Sequence, residues 1–167
     1  FWIKNYSAYC PDGSGYIDGS GGGVYSNNSD LRVYCMRFQN FNNLYNSGWG
    51  APLKQDLAID FNGGTDLTFY SISNHFINNQ TSIQVIGNAS INCNANFINK
   101  DDNYTYSGVP NSKFITVSNT QNTSSIPNTP LNQITNNEIY NVERAIELYN
   151  SPYFDISNNT FDMETQS

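Results

Sequence analysis

The sequence predicts an all-β solenoid of about five stacked coils, and three observations carry this prediction. The first is composition, since the 167 residues include 28 Asn, 12 Gly, 12 Tyr and 10 Phe and only 13% are charged. The second is an apolar pattern that recurs along the chain at a regular spacing. The third is a short alternating strand that follows most copies of this pattern.

The composition favours short strands joined by tight turns. Asn is disfavoured in helix interiors because its side chain competes for backbone hydrogen bonds, and it is favoured in turns. The Tyr, Phe and Ile residues between the Asn residues are good strand formers. Long helices are therefore not expected.

The repeat consists of two apolar anchors five residues apart with a polar pair, often Asn-Asn, between them. One Asn of this pair is expected to adopt the left-handed conformation and to hydrogen-bond the adjacent coil. The steps between first anchors are 39, 21, 41 and 22 residues, and each long step holds only one alternating strand, which predicts single coils that carry insertions. The first anchors are Val33, Ile72, Cys93, Ile134 and Ile156.

The alternating strands predict one inward and one outward face per coil. They are residues 58–61 (AIDF), 82–85 (SIQV), 114–117 (FITV) and 145–148 (AIEL). In this pattern Asp60, which lies between Ile59 and Phe61, is expected to point away from the solenoid interior.

The pattern Ile-x-Asn-Asn-x-Phe/Ile is clearest in residues 134–139 and 156–161. It resembles the right-handed parallel β-helix repeat of pectate lyases, polygalacturonases, mannuronan epimerases and bacterial surface proteins. The resemblance covers residues 31–161 and implies that fold. Residues 15–22 (GYIDGSGG) resemble an Ile-Asp-Gly-x-Gly turn of polysaccharide-degrading β-helices, with a plain Gly-rich turn as an equal alternative. We expect one β-helix segment over 1–167, part of a larger protein, with 1–30 as a Gly-rich coil or lead-in.

Two inserts, near 44–56 and 100–112, lengthen their coils at the same position and are expected to project from the same side. They would wall a shallow groove in which aromatic faces suit sugar rings. A third insert, 118–133, is expected to be a loop without a site. For the first two inserts, the alternative to a groove is that their aromatic side chains fold back onto the solenoid. The predicted substrate-binding residues are Tyr45, Trp49, Lys54, Asp101, Asp102, Tyr104 and Tyr106.

No catalytic residue is predicted. Glycoside cleavage needs a carboxylate pair, and the one Asp-Asp pair lies in an insert. His75, the sole histidine, is expected to be a bend residue. Asp56, Asp60 and Asp66 come closest to an acidic cluster and are expected to be solvated, so no cofactor or metal is predicted; a Ca²⁺ site is the weaker alternative.

The three cysteines, Cys10, Cys35 and Cys93, form no CxxC pair, which argues against a zinc knuckle. Cys35 and Cys93 are expected to be small core residues, and a Cys10–Cys35 bridge is the alternative. The net charge of −7 disfavours nucleic acid and anionic membranes as partners. No apolar run is long enough to span a bilayer, and the composition favours an extracellular or cell-surface location.

These observations predict a β-helical module that acts as a scaffold, an adhesion segment or a glycan-binding segment. A fragment of a secreted polysaccharide lyase, glycoside hydrolase or epimerase is the first alternative, and a phage or viral spike segment is the second. Whether the parent protein is an enzyme stays open. The expected partners are a polysaccharide or surface glycan, and further coils or another protein that cap the open ends of the solenoid.

Overall fold

The described part of the protein is built from β-strands. A computed structural model describes residues 2–4, 15–18, 23–39, 41, 57–64, 67–99, 112–120 and 132–162. Within these ranges, no helix has the length and apolar character that a membrane crossing would require.

The strands form three sheets, which we call sheets A, B and C. Sheet A contains β1 (Trp2–Lys4), β4 (Leu31–Tyr34), β7 (Leu67–Ile72), β10 (Ala89–Asn94), β13 (Asn132–Thr135) and β16 (Phe154–Ser157). Sheet B contains β2 (Gly15–Asp18), β5 (Met36–Gln39), β8 (His75–Ile77), β11 (Phe97–Asn99), β14 (Glu138–Tyr140) and β17 (Thr160–Asp162). Sheet C contains β3 (Val24–Asn27), β6 (Leu57–Asn62), β9 (Thr81–Ile86), β12 (Lys113–Ser118) and β15 (Arg144–Tyr149).

The chain visits the three sheets in turn, so that three consecutive strands make one coil. All strand pairs are parallel, and each strand pairs with the strand of the same sheet in the next coil. The described residues hold five three-strand coils and two strands of a sixth. The predicted all-β parallel β-helix with about five coils is confirmed, and its right-handedness stays a prediction.

One internal column runs along sheet A. Its members are register partners in consecutive coils, and the first four are fully buried. They are Val33, Ser71, Cys93, Ile134 and Ile156.

The prediction that Ile72 belongs to this column was wrong. Ile72 pairs with Tyr34 and Asn94 and is only partly buried, because it points away from the interior. A one-residue shift moves a strand residue to the other face of its sheet. The buried residue at this position is Ser71, so the spacing from coil to coil is 38, 22, 41 and 22 residues.

A second internal column lies on sheet B, five residues after the first. Phe38, Phe76, Ile98 and Ile139 are register partners and are at most 2% exposed. The rings of Phe38 and Phe76 stack with a centroid distance of 5.2 Å. Sheet C closes the core with buried residues such as Ile83 and Val85. The predicted five-residue spacing between the two anchors is thus correct in the third coil as in the others. The second anchor of the third coil is Phe76 and not Ile77.

Ten of the described corners turn at a left-handed, non-glycine residue that directly follows a strand. Their φ values lie between 48 and 59°, a conformation that Asn tolerates better than most residues. Seven of these ten residues are Asn, which is a quarter of the 28 Asn in the sequence. These residues are Asn28, Cys35, Ser73, Asn78, Ala95, Asn119, Asn136, Asn141, Asn150 and Asn158.

The two residues of the polar pair between sheets A and B have different structural roles. The first member supplies the left-handed φ and is Cys, Ser, Ala or Asn in different coils. The second member is Asn in coils three to six and forms a ladder. The ladder residues are Asn74, Asn96, Asn137 and Asn159.

Each ladder amide bonds to the backbone of the preceding coil. Its Oδ1 accepts the backbone N–H of the residue at the same position one coil earlier, at 2.9 to 3.1 Å. Its Nδ2 donates to a sheet A carbonyl of that coil, at 2.7 to 3.1 Å. Asn74, Asn96 and Asn137 are at most 1% exposed, so these bonds satisfy backbone groups that water cannot reach. In coil two the ladder position is Met36, and the ladder ends there with the Met36 N–H.

The last described coil leaves its internal positions partly uncovered. Ile156 is 44% exposed and Phe161 is 47% exposed, although both continue columns that are buried in earlier coils. β15, β16 and β17 are the terminal strands of their sheets. The apolar surface at this end is therefore the same kind of surface that pairs coils elsewhere in the molecule.

Candidate ligand-binding face

The outer face of sheet C carries one polar or aromatic side chain per coil at a single register position. Ile59, Phe61, Ile83 and Val85 point inward and are fully buried. The residues that alternate with them point away from the core because successive strand residues face opposite sides. We call the resulting row the sheet C row: Tyr25, Asp60, Gln84, Thr116 and Glu147.

Hydrogen bonds link members of the row to one another. Gln84 Nε2 donates to Asp60 Oδ1 at 3.3 Å, and the Thr116 hydroxyl donates to Glu147 Oε2 at 3.2 Å. Next to the row, Asn62 Nδ2 donates to the Tyr25 hydroxyl at 3.1 Å. The face therefore holds its amide, hydroxyl and carboxylate groups in fixed positions.

Two exposed tyrosines lie at opposite ends of this face. Tyr25 in the first coil is 62% exposed, and Tyr149 in the fifth coil is 52% exposed. An exposed Tyr presents a flat apolar ring beside a hydroxyl that can donate or accept a hydrogen bond.

Glu147 binds both cations of sheet C. Its Oε2 lies 2.8 Å from Lys113 Nζ, and its Oε1 lies 2.7 Å from Arg144 Nη1. Lys113 and Arg144 are register partners on β12 and β15, so the carboxylate joins two neighbouring coils. Burial by itself raises the pKa of Glu147, but the hydrogen bonds from Lys113 and Arg144 outweigh it and lower this pKa to about 2.

Asp60 lies on the outward register position that the sequence predicted, but it is not solvated. The residue is only 4% exposed, and its carboxylate accepts the Gln84 amide. The expectation of a solvated loop carboxylate was wrong for Asp60, which lies in strand β6, between β3 and β9, and is buried.

The two carboxylates of the row do not form a glycosidase pair. Asp60 and Glu147 are three coils apart, which corresponds to roughly 14 Å at the spacing of parallel strands. Acid and nucleophile or base lie roughly 5 to 10 Å apart in glycoside hydrolases. Glu147 is moreover held by two cations, whereas a general acid needs a raised pKa.

In the described ranges no group of three or more His, Cys, Asp or Glu side chains could hold a metal ion. Of the acids considered for a Ca²⁺ site, Asp56 and Asp66 lie outside the described residues. His75 is not a bend residue as expected: it lies in β8, on the outer face of sheet B, where its ring is 5.4 Å from that of Phe97.

The predicted substrate-binding residues all fall in two parts of the chain that lie outside the described residues. They are Tyr45, Trp49, Lys54, Asp101, Asp102, Tyr104 and Tyr106. The strands that flank these parts are described: β5 and β6 flank the first, and β11 and β12 flank the second. Both inserts therefore connect sheet B to sheet C, and the short connection of coil three, 78–80, separates them in the coil order.

The sheet C row was missed as a site, although the sequence carried a signal for it. Aligning the four alternating strands AIDF, SIQV, FITV and AIEL places Asp, Gln, Thr and Glu at one position. A polar residue at the same outward position in every coil indicates a continuous polar surface.

The cysteines differ from each other in the structure. Cys93 is a free thiol in the internal column, as predicted, and burial raises its pKa. Cys35 is disulfide-bonded, so the expectation of a free core thiol was wrong for this residue. Cys35 lies at the left-handed corner beside Met36, where the Asn ladder ends. Cys10 lies outside the described residues.

Comparison with known proteins adds no relative. No family model, no curated protein and no solved structure matches the chain.

Proposed function

We propose that the chain is an extracellular or cell-surface β-helical module that binds a glycan along the outer face of sheet C. The observation that carries this proposal is the sheet C row, in which consecutive coils present Gln84, Thr116 and Glu147 in register. Scaffolding or adhesion in a larger surface protein is the accompanying role of such a module.

The chemistry of this face suits a sugar chain. Amide, hydroxyl and carboxylate groups can bond sugar hydroxyls, and the rings of Tyr25 and Tyr149 offer apolar faces for sugar rings. The row repeats once per coil, as the hydrogen-bonding groups of a polysaccharide repeat once per sugar. The inserts with Tyr45, Trp49, Tyr104 and Tyr106 leave the solenoid at one border of this face and are proposed to complete the groove.

The disulfide at Cys35 supports the extracellular location. Disulfides persist in oxidising compartments and are rare in reducing ones. The chain charge of −7 and its seven basic residues in 167 are in keeping with a surface or secreted module.

We further propose that the chain is related to the β-helix superfamily of pectate lyases, polygalacturonases and bacterial surface proteins. Three parallel sheets and a corner with an Asn ladder support this relationship. The separation of Asp60 and Glu147 argues against glycoside hydrolysis by the sheet C row. The binding module therefore ranks above the fragment of a polysaccharide-degrading enzyme and above the viral spike segment.

Capping of the open end is part of the same proposal. Ile156 and Phe161, each almost half exposed, would be covered by a further coil or by another protein. Unpaired strand edges invite association with other strands, which is why solenoids carry caps.

The test is retention of the purified chain on a panel of immobilised polysaccharides. We expect the wild-type chain to be retained by at least one of them, and Gln84→Ala to weaken binding by roughly threefold to tenfold, the equivalent of one hydrogen bond of about 0.5–1.5 kcal/mol. Trp49→Ala tests the contribution of the first insert in the same assay.

Gln133→Ala is the matched control, because Gln133 is a partly exposed glutamine on the outer face of sheet A. It should leave retention unchanged. Equal losses in Gln84→Ala and Gln133→Ala, or no retention of the wild-type chain by any polysaccharide, would contradict the proposed site.

A further inference from the structure

The charges on sheet C cancel one another. Its five strands contain two cations, Lys113 and Arg144, and two carboxylates, Asp60 and Glu147. Both cations contact the same carboxylate, at 2.8 and 2.7 Å. The side chain of Glu147 is only 11% exposed, whereas those of Lys113 and Arg144 are 23% and 49% exposed.

This arrangement is the reverse of a site for an anionic ligand. Recognition of carboxylates or sulfates depends on Arg and Lys side chains with free donors that face the ligand. Here a carboxylate of the protein already takes the position that a ligand carboxylate would occupy, between the two cations. A third donor, Thr116 of the sheet C row, also bonds to Glu147 and fixes it in place.

Resting on the proposed glycan-binding function, we infer that Glu147 restricts the outer face of sheet C to neutral glycans. It does so by occupying Lys113 and Arg144, the two side chains that would otherwise bind an acidic sugar. Asp60 lies three coils from Glu147 in the same row, with Gln84 and Thr116 between them. Its negative charge adds repulsion towards a polyanion that runs along the row. Glu147 is thus a specificity-determining residue.

The low pKa of Glu147 agrees with this role, because the carboxylate stays ionised and bound to its cations throughout the range of natural pH. Within that range the two cations are released only when the carboxylate itself is removed.

The experiment compares binding to a neutral and an anionic probe. The neutral probes are dextran, galactomannan and mixed-linkage β-glucan, and the anionic probe is polygalacturonate. We expect the wild-type chain to bind a neutral probe and to bind polygalacturonate at least tenfold more weakly. Glu147→Gln keeps the side-chain length but frees both cations, and it should raise polygalacturonate affinity at least tenfold at low ionic strength. The gain should disappear at high salt, since the screening length falls from about 10 Å at 0.1 M to about 3 Å at 1 M.

Two further variants separate the inference from general effects of charge and folding. Glu138→Gln removes an exposed carboxylate from the outer face of sheet B and changes the net charge equally, and it should give no gain. Adding both Lys113→Gln and Arg144→Gln to Glu147→Gln should abolish the gain. If Glu147→Gln alters the circular dichroism spectrum, Glu147→Ser serves as the second neutral variant.

The outcomes distinguish the inference from the function on which it rests. Wild-type binding to polygalacturonate as strong as binding to a neutral probe, or a folded Glu147→Gln variant without any gain, overturns the role of Glu147. A wild-type chain that binds no neutral probe overturns the proposed function alone, while a salt-sensitive gain in Glu147→Gln still supports the assignment of Glu147.

Discussion

Asn96 and Asn137 occupy the same corner in consecutive coils, and Oδ1 of Asn137 accepts two hydrogen bonds from Asn96, one from its backbone N–H and one from its Nδ2, both at 2.9 Å. Nδ2 of Asn96 also donates to the Ser71 carbonyl of the preceding coil at 2.8 Å. One amide thus links three coils. Because Asn96 is 1% exposed, no water can replace these bonds if the side chain is lost.

Replacement of Asn96 by Leu should therefore destabilise the protein strongly. The change leaves the backbone N–H of Asn74 and the carbonyl of Ser71 without their amide partner in the core. Buried groups that lose a partner cost about 1–3 kcal/mol each, so we expect a loss of about 3 kcal/mol or more. Urea unfolding followed by circular dichroism measures it.

Asn136→Ser is the matched control for the ladder. Asn136 is the exposed left-handed neighbour of Asn137, and Ser73 takes the same conformation at the same corner of coil three. We expect a loss below about 1 kcal/mol. Equal losses in the two variants would show that the corner, and not the ladder amide, stabilises the coil.

The register of coil three can be tested by truncating one residue on each face. Phe76 is 1% exposed and stacks on Phe38, so Phe76→Ala should cost about 3–5 kcal/mol through the cavity it leaves. Ile72 is partly exposed on the outer face of sheet A, and Ile72→Thr should cost less than about 1 kcal/mol. Denaturant midpoints in the opposite order would contradict the register.

Stability should depend on pH through Glu147. Its pKa is lowered to about 2 in the folded protein, below the ordinary value of a glutamate. The ion pairs therefore contribute stability above the ordinary glutamate pKa, and this contribution is lost as the pH falls towards the folded value. Wild-type protein should be more stable than Glu147→Gln near neutral pH, and the difference should shrink by about pH 2. A difference that is constant over this range would argue against the ion pairs.

The two described cysteines should react differently. Cys93 is buried with a raised pKa, so a thiol reagent should not modify it in the native protein. Denaturant without reductant should expose the Cys93 thiol, and Cys93→Ala should remove that signal. Reductant added under denaturing conditions should increase the number of reactive thiols, because Cys35 is disulfide-bonded. Modification of the native wild-type protein at the rate of the unfolded chain would contradict the burial of Cys93.

The stacking of coils was predictable because every turn must bring an apolar residue back to the same internal column. The assignment of Ile72 to the internal column was wrong because two pairs of residues in that coil have the same five-residue spacing, 71 with 76 and 72 with 77. The internal member is a serine whose hydroxyl donates to Asn96 Oδ1, and only the ladder makes a polar residue acceptable there. A partner in the next coil is not visible in the local sequence.

The candidate site was predictable only in part, for a related reason. Alternation assigned Asp60 to the outward face, but the burial of that carboxylate depends on its surroundings in the folded chain. The contact of Glu147 with Lys113 joins residues of two coils, and the pairing becomes evident only when the register between β12 and β15 is known. The state of Cys35 could not be predicted from an odd number of cysteines.

The long and short coils keep one register, although their repeats differ by as many as 19 residues, and this tolerance has an evolutionary consequence. Coils of 22, 38 and 41 residues pair through the same strands, so the extra length is confined to connections between strands. Doubling the length of a flexible connection costs only about 0.6 kcal/mol in closure entropy. New loops can therefore be acquired or exchanged between sheets B and C, and in the fourth coil also between sheets C and A, while the scaffold stays intact. Such a chain can diversify its surface loops at little cost to folding.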